Sequence, residues 1–375
     1  MLSPNYQQVR IAEFQKQFEL SAPPAIAWKG DNIGLQIGRG NTVIRNILVA
    51  LDCTPEVAAE AIRKNANLII THHPLLFHPL KKITPKSRVG DLVLTLTEHR
   101  INLYAAHTNL DSVRWGVNFC LAEKLGLTDL HILSPLRESV SKIVVFVPQS
   151  HTEAVADAMH SAGAGMFAKY DSCSFRSAGT GTFRGKEHAQ PYLGKVGVLE
   201  RVAEDRIEMM AENWNVDAVV AAMLKAHPYE EVAYDVYPLL NRNSEYGLGA
   251  IGTMKKGLSQ SAFLSLVKKK LNAAALRFSG KAKTIRRVAV CGGSGSDYIS
   301  DAVAQGADAM ITADLKYHTF QDFEEQLLLV DAGHYETEHV VLPALAKKCS
   351  DIAAHGTHSG KVFITQHRTN PVHIF

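Results

Sequence analysis

Cysteine is scarce and shows no pairing pattern. Cys53, Cys120, Cys173, Cys291 and Cys349 are odd in number, scattered, and never spaced as Cys-x-x-Cys. That argues against a disulfide framework and a thiolate zinc knuckle, and makes a reducing cytoplasm the expected address. An excess of charge of either sign is also missing. The formal net charge is +3 with a pI near 8.5, and the lysines and arginines are dispersed rather than run together. A dedicated nucleic-acid binder is therefore disfavoured, whereas a small anionic substrate such as a nucleotide is compatible. No stretch reads as a membrane span, and Met1 to Leu20 lacks the basic start and apolar core of an export signal. Its Ile11, Phe14 and Phe18, at helical spacing, fit an amphipathic first helix instead. What is present, 46% apolar and 21% charged residues in a chain of 375, suffices for two or three domains with proper cores.

Histidine is placed with more pattern than cysteine. His72 and His73 leave an apolar run in Ile69-Ile70-Thr71-His72-His73-Pro74, where two adjacent imidazoles can each take a separate ion. Pro74 ends the strand and, by disfavouring the helical region for His73, keeps the pair extended. His107 is followed four residues later by Asp111, and His334 four residues later by Glu338. On a helix such residues share a face, so Glu338 is placed to bridge ions held beside His334. A lone histidine on an apolar face is more often a satisfied structural residue, but three matched segments point to a two-metal centre with ions about 3.5–4 Å apart. Imidazole and carboxylate donors without thiolate suit zinc, iron, manganese, cobalt or nickel and do not choose among them. His78 reads as a loop residue near the site, and His355, His358 and His367 lack partners at ligand spacing.

The chain repeats itself. Ile47–Asp52, a helical stretch and Ala66–His73 are echoed by Val288–Cys291, a helical stretch from Tyr298 to Gln305 and Gly306–Asp314. Each half then adds a strand ending in a histidine, His107 or His334, at an offset of roughly 230 to 240 residues. Continuous apolar strands alternating with helices predict an α/β fold with a duplicated core, mostly parallel sheets and flanking helices. Such folds gather ligands beyond the C-terminal strand ends, where Asp52, His72, His73, His107, Thr312 and His334 all stand. Between the halves, Lys142–Pro148 to Tyr237–Leu239 gives βαβ twice, with a strand-rich region that includes Gly181–Arg184 and a strand from Lys195 to Glu200, and reads as an inserted ferredoxin-like α+β domain. The expected domains are residues 1–136 and 246–375 for the two halves of the core, and 137–245 for the insert. Within it, Gly165 to Gln190 is rich in glycine and serine and reads as a mobile excursion.

Two further loops have open roles. Gly292-Gly293-Ser294-Gly295-Ser296-Asp297 follows a strand and opens a helix, so it either cradles a phosphate or is simply a tight turn. Asp31-Asn32-Ile33-Gly34-Leu35-Gln36-Ile37-Gly38 reads as a turn-forming loop that lines a site or caps the core. Lys29, Arg39, Arg114 and Lys316 lie near these segments, where each either offsets substrate phosphate charge or is ordinary surface.

With Asp31-Asn32-x-Gly34-Leu35-Gln36, Thr71-His72-His73-Pro74, Ala106-His107-Thr108-Asn109-Leu110-Asp111 and Gly333-His334 with Glu338, the chain resembles the GTP cyclohydrolase 1 type 2 homologues, also called the Ngg-interacting-factor-3-like family, in their longer bacterial form. The resemblance spans the whole length. It implies two divalent metal ions on His72, His73, Asp111, His334 and Glu338, with His107 left as a catalytic candidate beside them. His227-Pro228-Tyr229-Glu230-Glu231 makes the insert similar to trimer-forming PII and CutA-like domains, and the implied assembly is a hexamer, a trimer of dimers. Two functions are expected. The first is metal-dependent hydrolysis, with GTP ring opening at C8 or another nucleotide bond as the target. The alternative is a non-catalytic metal-binding regulatory or scaffolding oligomer whose insert reads a small ligand or a protein partner.

Overall fold

The computed structural model describes residues 9–354 and 360–374, so His355 and His358 lie outside the described residues. The chain divides into two compact units, Met1–Pro135 with Glu245–Phe375, and Leu136–Ser244. Among the described residues no helix is long and apolar enough to cross a membrane.

The larger unit opens with a helix, Ile11–Ser21, whose Ile11, Phe14 and Phe18 are buried as their spacing predicts. It continues through β1 (Gly34–Ile37), β2 (Ile47–Ala50), β3 (Leu68–Thr71), β4 (Asn102–Ala105) and β5 (Leu127–Pro135). Every residue of β2, β3 and β4 is buried, the pattern of parallel strands covered on both faces. They pair in parallel, and helices Pro55–Arg63 and Arg88–Glu98 make the crossovers. Thr54 and Ser87 cap those helices, accepting from Val57 N–H at 3.3 Å and Gly90 N–H at 3.1 Å, and Pro55 sits where its missing N–H costs nothing.

The smaller unit holds β6 (Val140–Pro148), β7 (Phe175–Arg184), β8 (Leu199–Glu212) and β9 (Tyr234–Pro238), with helices Thr152–Ser161 and Val216–Ala226. Its antiparallel sheet has the order β7-β8-β6-β9. Two expectations change here. The stretch read as a mobile excursion contains β7, which extends the Gly181–Arg184 strand back to Phe175 and pairs with β8 along its whole length, with Gly181 close over the Glu204 side chain. Lys195 is not in a strand, and β8 begins only at Leu199.

The chain then returns to the larger unit with β10 (Gly247–Leu258), β11 (Arg277–Ser279), β12 (Ile285–Ser294), β13 (Ala309–Ala313), β14 (Leu328–Asp331) and β15 (Val362–Ile364). Two mixed sheets result, ordered β1-β4-β3-β2-β15 and β11-β14-β13-β12-β10-β5. The run β11-β14-β13-β12 has the order and strand directions of β1-β4-β3-β2, three parallel strands with an antiparallel one at the edge. Register sets what leaves each sheet together. Ala50 lies opposite Thr71, and Thr71 opposite Ala105, so Asp52, His72, His73 and His107 emerge at one edge. Thr312 lies opposite Asp331, so Asp314 and His334 emerge side by side from the second sheet. Leu48, Ile69, Ile70 and Leu103 are fully buried around the first set, each contributing about 1.5–3 kcal/mol by burial.

Candidate metal centre

The histidine pair stays extended past the end of β3. His72 N–H donates to Ala50 O at 3.3 Å and His73 N–H to Leu51 O at 2.9 Å, so the two side chains leave on different sides of the backbone. Asp111 closes the short helix Thr108–Asp111, and His334 and Glu338 begin and end the helix His334–Glu338. These elements bring all the sequence-predicted residues to one place. Glu338 is central: its Oε1 lies 3.1 Å from His334 Nε2 and 3.7 Å from His72 Nε2, and its Oε2 lies 2.9 Å from His73 Nε2. Asp111 Oδ1 stands 3.6 Å from His72 Nε2. The His107 ring packs 5.2 Å from that of His72 and 5.7 Å from that of His73.

Each imidazole is anchored through Nδ1, leaving Nε2 to face inward. His72 donates to Ala106 O at 2.9 Å, His73 to Asp52 at 2.7 Å, His107 to Asp31 at 2.9 Å and His334 to Asp314 at 2.6 Å. This is how proteins orient metal-ligating histidines, and it fixes the tautomer whose inner nitrogen is free to bind. Asp52 is held in turn by Thr369 Oγ1–H at 2.5 Å, and Asp31 by the Thr108 hydroxyl at 2.5 Å. These outer partners escaped the sequence reading. Asp52 was visible only as a strand-end residue, Asp31 as part of a loop motif, and Thr369 carried no signal.

The glycine loop after β12 serves this geometry. Gly293 has φ +61°, and a Cβ there would stand 2.1 Å from Glu338 Oε1. The N–H groups of Gly292, Gly293 and Gly295 donate to Asn118, Thr337 and Thr312. Three of the donors that would cradle a phosphate are thus already engaged, and the tight-turn reading is the better one.

Burial and charge compete in the cluster. Burial would lower the His73 imidazole, but Asp52 and Glu338 outweigh it and hold it up at about 10. His334 is likewise raised to about 9 against its burial, by Glu338 and Asp314. His72, fully buried, is still pushed up by Asp111 and Glu338. Glu338 is held well below the carboxylate range despite burial, by His72, His334 and His73. Burial and the neighbouring Glu338 charge raise Asp111 to about 6, with His72 opposing. Without a cation the site is therefore held together by protons on imidazole.

The donors fit a metal. His73 and His334 point their Nε2 atoms at each other across 3.3 Å, an arrangement that a shared cation satisfies as well as a proton. His72 Nε2 and Asp111 Oδ1 are buried without a well-directed hydrogen bond, which is costly unless something else takes them. Among the described residues two groups of donor atoms lie close enough to hold an ion, His73 with His334 and Glu338, and His72 with His73 and His107. The second group gives His107 the geometry of a ligand as well as that of a catalytic side chain.

The cluster borders a cavity of about 350 Å³ whose walls include Trp28, Phe77, Leu248 and Tyr298. None of Lys29, Arg39, Arg114 and Lys316 lines it. Arg114 lies 3.6 Å from Glu245, and His78 borders a separate cavity.

Residues 9–371 match the family model described as Duf34/NIF3 (NGG1p interacting factor 3). The chain is 40% identical over 357 residues to a "GTP cyclohydrolase 1 type 2 homolog" of Halalkalibacterium halodurans, covering 94% of this chain and 96% of that one. It is 41% identical over 357 residues to the protein of the same name from Bacillus subtilis, covering 94% and 95%. The crystal structure of a Bacillus cereus protein related to NIF3 superposes with a TM-score of 0.86 at 40% identity, covering 98% of this chain and all of that one. The match along nearly the whole chain and the histidine–carboxylate cluster agree: the chain belongs to the Duf34/NIF3 family.

Proposed function

We propose that the chain is a di-metal-dependent hydrolase in which His72, His73, Asp111, His334 and Glu338 hold two divalent ions and His107 moves the proton. The observation that carries this is the inward set of Nε2 atoms around Glu338, each imidazole fixed from behind by Asp52, Asp314, Asp31 or Ala106 O. Ions held there supply Lewis acidity, which makes water nucleophilic near neutral pH. The remaining work belongs to the side chains. Glu338, which faces three imidazoles at once, would hold the ions together with them, and Asp111 would add the carboxylate on the His72 side. His107, with Nδ1–H on ionised Asp31, has its inner nitrogen available to accept a proton from attacking water and return it to the leaving atom. On a purine nucleotide such as GTP the attacked atom is C8 and the leaving atom a ring nitrogen. Zinc, iron, manganese, cobalt and nickel all suit the donors.

The core reads as a duplicated α/β unit, supported by the shared strand order of its two sheets. Residues 137–245 read as an inserted ferredoxin-like, PII/CutA-like domain, supported by the β7-β8-β6-β9 order and the compact-unit limits at Leu136 and Ser244. That insert exposes Tyr170, Phe175, Tyr237 and Leu240, which favours its use in a homo-oligomer, a hexamer on the family pattern. The same exposed side chains favour the second reading, a metal-binding regulatory scaffold that engages a protein partner through the insert. Turnover of a nucleotide panel including GTP, before and after chelation, separates the two. Hydrolysis abolished by chelator and restored by one divalent metal supports the enzyme. Full metal loading with no turnover on any member of the panel contradicts it.

A further inference from the structure

Two aromatic rings at the mouth of the cavity are not explained by metal binding. Trp28 is 51% exposed and Phe77 53% exposed, yet both are rigidly mounted. Trp28 N–H donates to Thr108 Oγ1 at 2.9 Å, Thr108 itself donates to Asp31, and the indole N–H donates to the Tyr298 hydroxyl. Phe77 follows Leu76, whose carbonyl accepts from Asn32 Nδ2 at 2.5 Å and whose N–H donates to Gln36 Oε1 at 3.1 Å. Gln36 closes the frame by donating to Asn32 O at 2.8 Å. The Phe77 ring meets the His107 ring edge-on, 6.2 Å between centroids. The Asp31-Asn32-x-x-x-Gln36 motif therefore fixes His107 and the segments bearing both rings in one network.

Resting on the hydrolase reading above, we infer that Trp28 and Phe77, with Tyr298 behind Trp28, form a clamp for a planar, uncharged heteroaromatic group of purine type. The clamp presents that group to the His107 side of the cavity. Aromatic side chains give large, rigid contact at small entropic cost, and stacking on them is open to any base with a π-face. Among the described residues no lysine or arginine lines the cavity, so apart from the ions of the proposed centre recognition falls on the ring.

The test uses the full-length, metal-loaded protein and measures binding of guanosine, GTP and ribose by calorimetry at low and high salt. Metal content is measured for every preparation before any ligand is added. Guanosine is expected to bind with little salt dependence, and ribose, which lacks the ring, not to compete. Trp28→Ala and Phe77→Ala are expected to weaken both ligands by about tenfold or more with metal content unchanged, and Trp28→Phe to recover binding. Competition by ribose, or wild-type affinity in Trp28→Ala, overturns the clamp. No binding of either purine ligand to fully loaded protein overturns the clamp alone and leaves the metal centre standing. Missing metal overturns the hydrolase reading and with it the inference.

Discussion

Glu338 is the side chain on which the centre turns, because one buried carboxylate faces His72, His73 and His334. Glu338→Gln keeps the shape and removes the charge. It is expected to weaken divalent metal binding by at least about tenfold, read by competition with a chelating dye, since the amide neither bridges nor balances the imidazoles. His107→Ala is expected to keep its metals and lose about 10²–10⁴-fold in turnover as a lost acid–base group. Loss of metal in that variant would make His107 a ligand instead. Protonation gives a third expectation. His73 at about 10 and His334 at about 9 hold protons at neutral pH that a metal must displace, so metal binding should release protons and tighten as pH rises. Calorimetry in buffers of different ionisation enthalpy reads that release directly.

At the scale of the element, the outer supports explain why short segments far apart in sequence matter. Asp31 has burial against it, but hydrogen bonds from His107 and Thr108 bring it down to about 2, below its usual 3.8. A depressed carboxylate contributes stability that is present above about 3.8 and lost as pH falls through about 2. Asp31→Asn should therefore cost about 2 kcal/mol in urea unfolding at neutral pH, with the difference from wild type shrinking toward pH 2. Gly293→Ala places a Cβ against Glu338 and forces a left-handed residue, costing about 1–2 kcal/mol from the backbone alone and displacing the carboxylate. The convergence of the histidine strands was legible in the sequence, since equal-length buried strands such as those ending at Thr71 and Ala105 stop at one edge. The Nδ1 anchors were not. Asp314 sits in a left-handed turn and Thr369 in a segment without regular structure, and no periodicity marks which carboxylate will meet which imidazole. Within the glycine-rich Gly165–Gln190 stretch only the Gly181–Arg184 end read as strand, for a related reason: pairing with β8 overrides the weak strand composition of residues 175–180.

For the whole molecule, the two mixed sheets of the larger unit supply separate halves of one cluster, His72, His73, His107 and Asp111 from the first and His334 and Glu338 from the second. An ion shared between them would tie residues more than two hundred positions apart, so chelation should lower the unfolding temperature and metal should restore it by mass action. The shared strand order that makes this possible showed in the sequence as an echo of apolar runs, whereas the pairing of β5 with β10 and of β15 with β2 did not, being contacts between segments far apart in sequence. The most direct measurement is the metal stoichiometry of the intact protein by native mass spectrometry, for wild type and Glu338→Gln. Two divalent ions per chain in the wild type, with loss in the variant, is the expected result; fewer than one ion per chain after exposure to each candidate metal would contradict the di-metal centre.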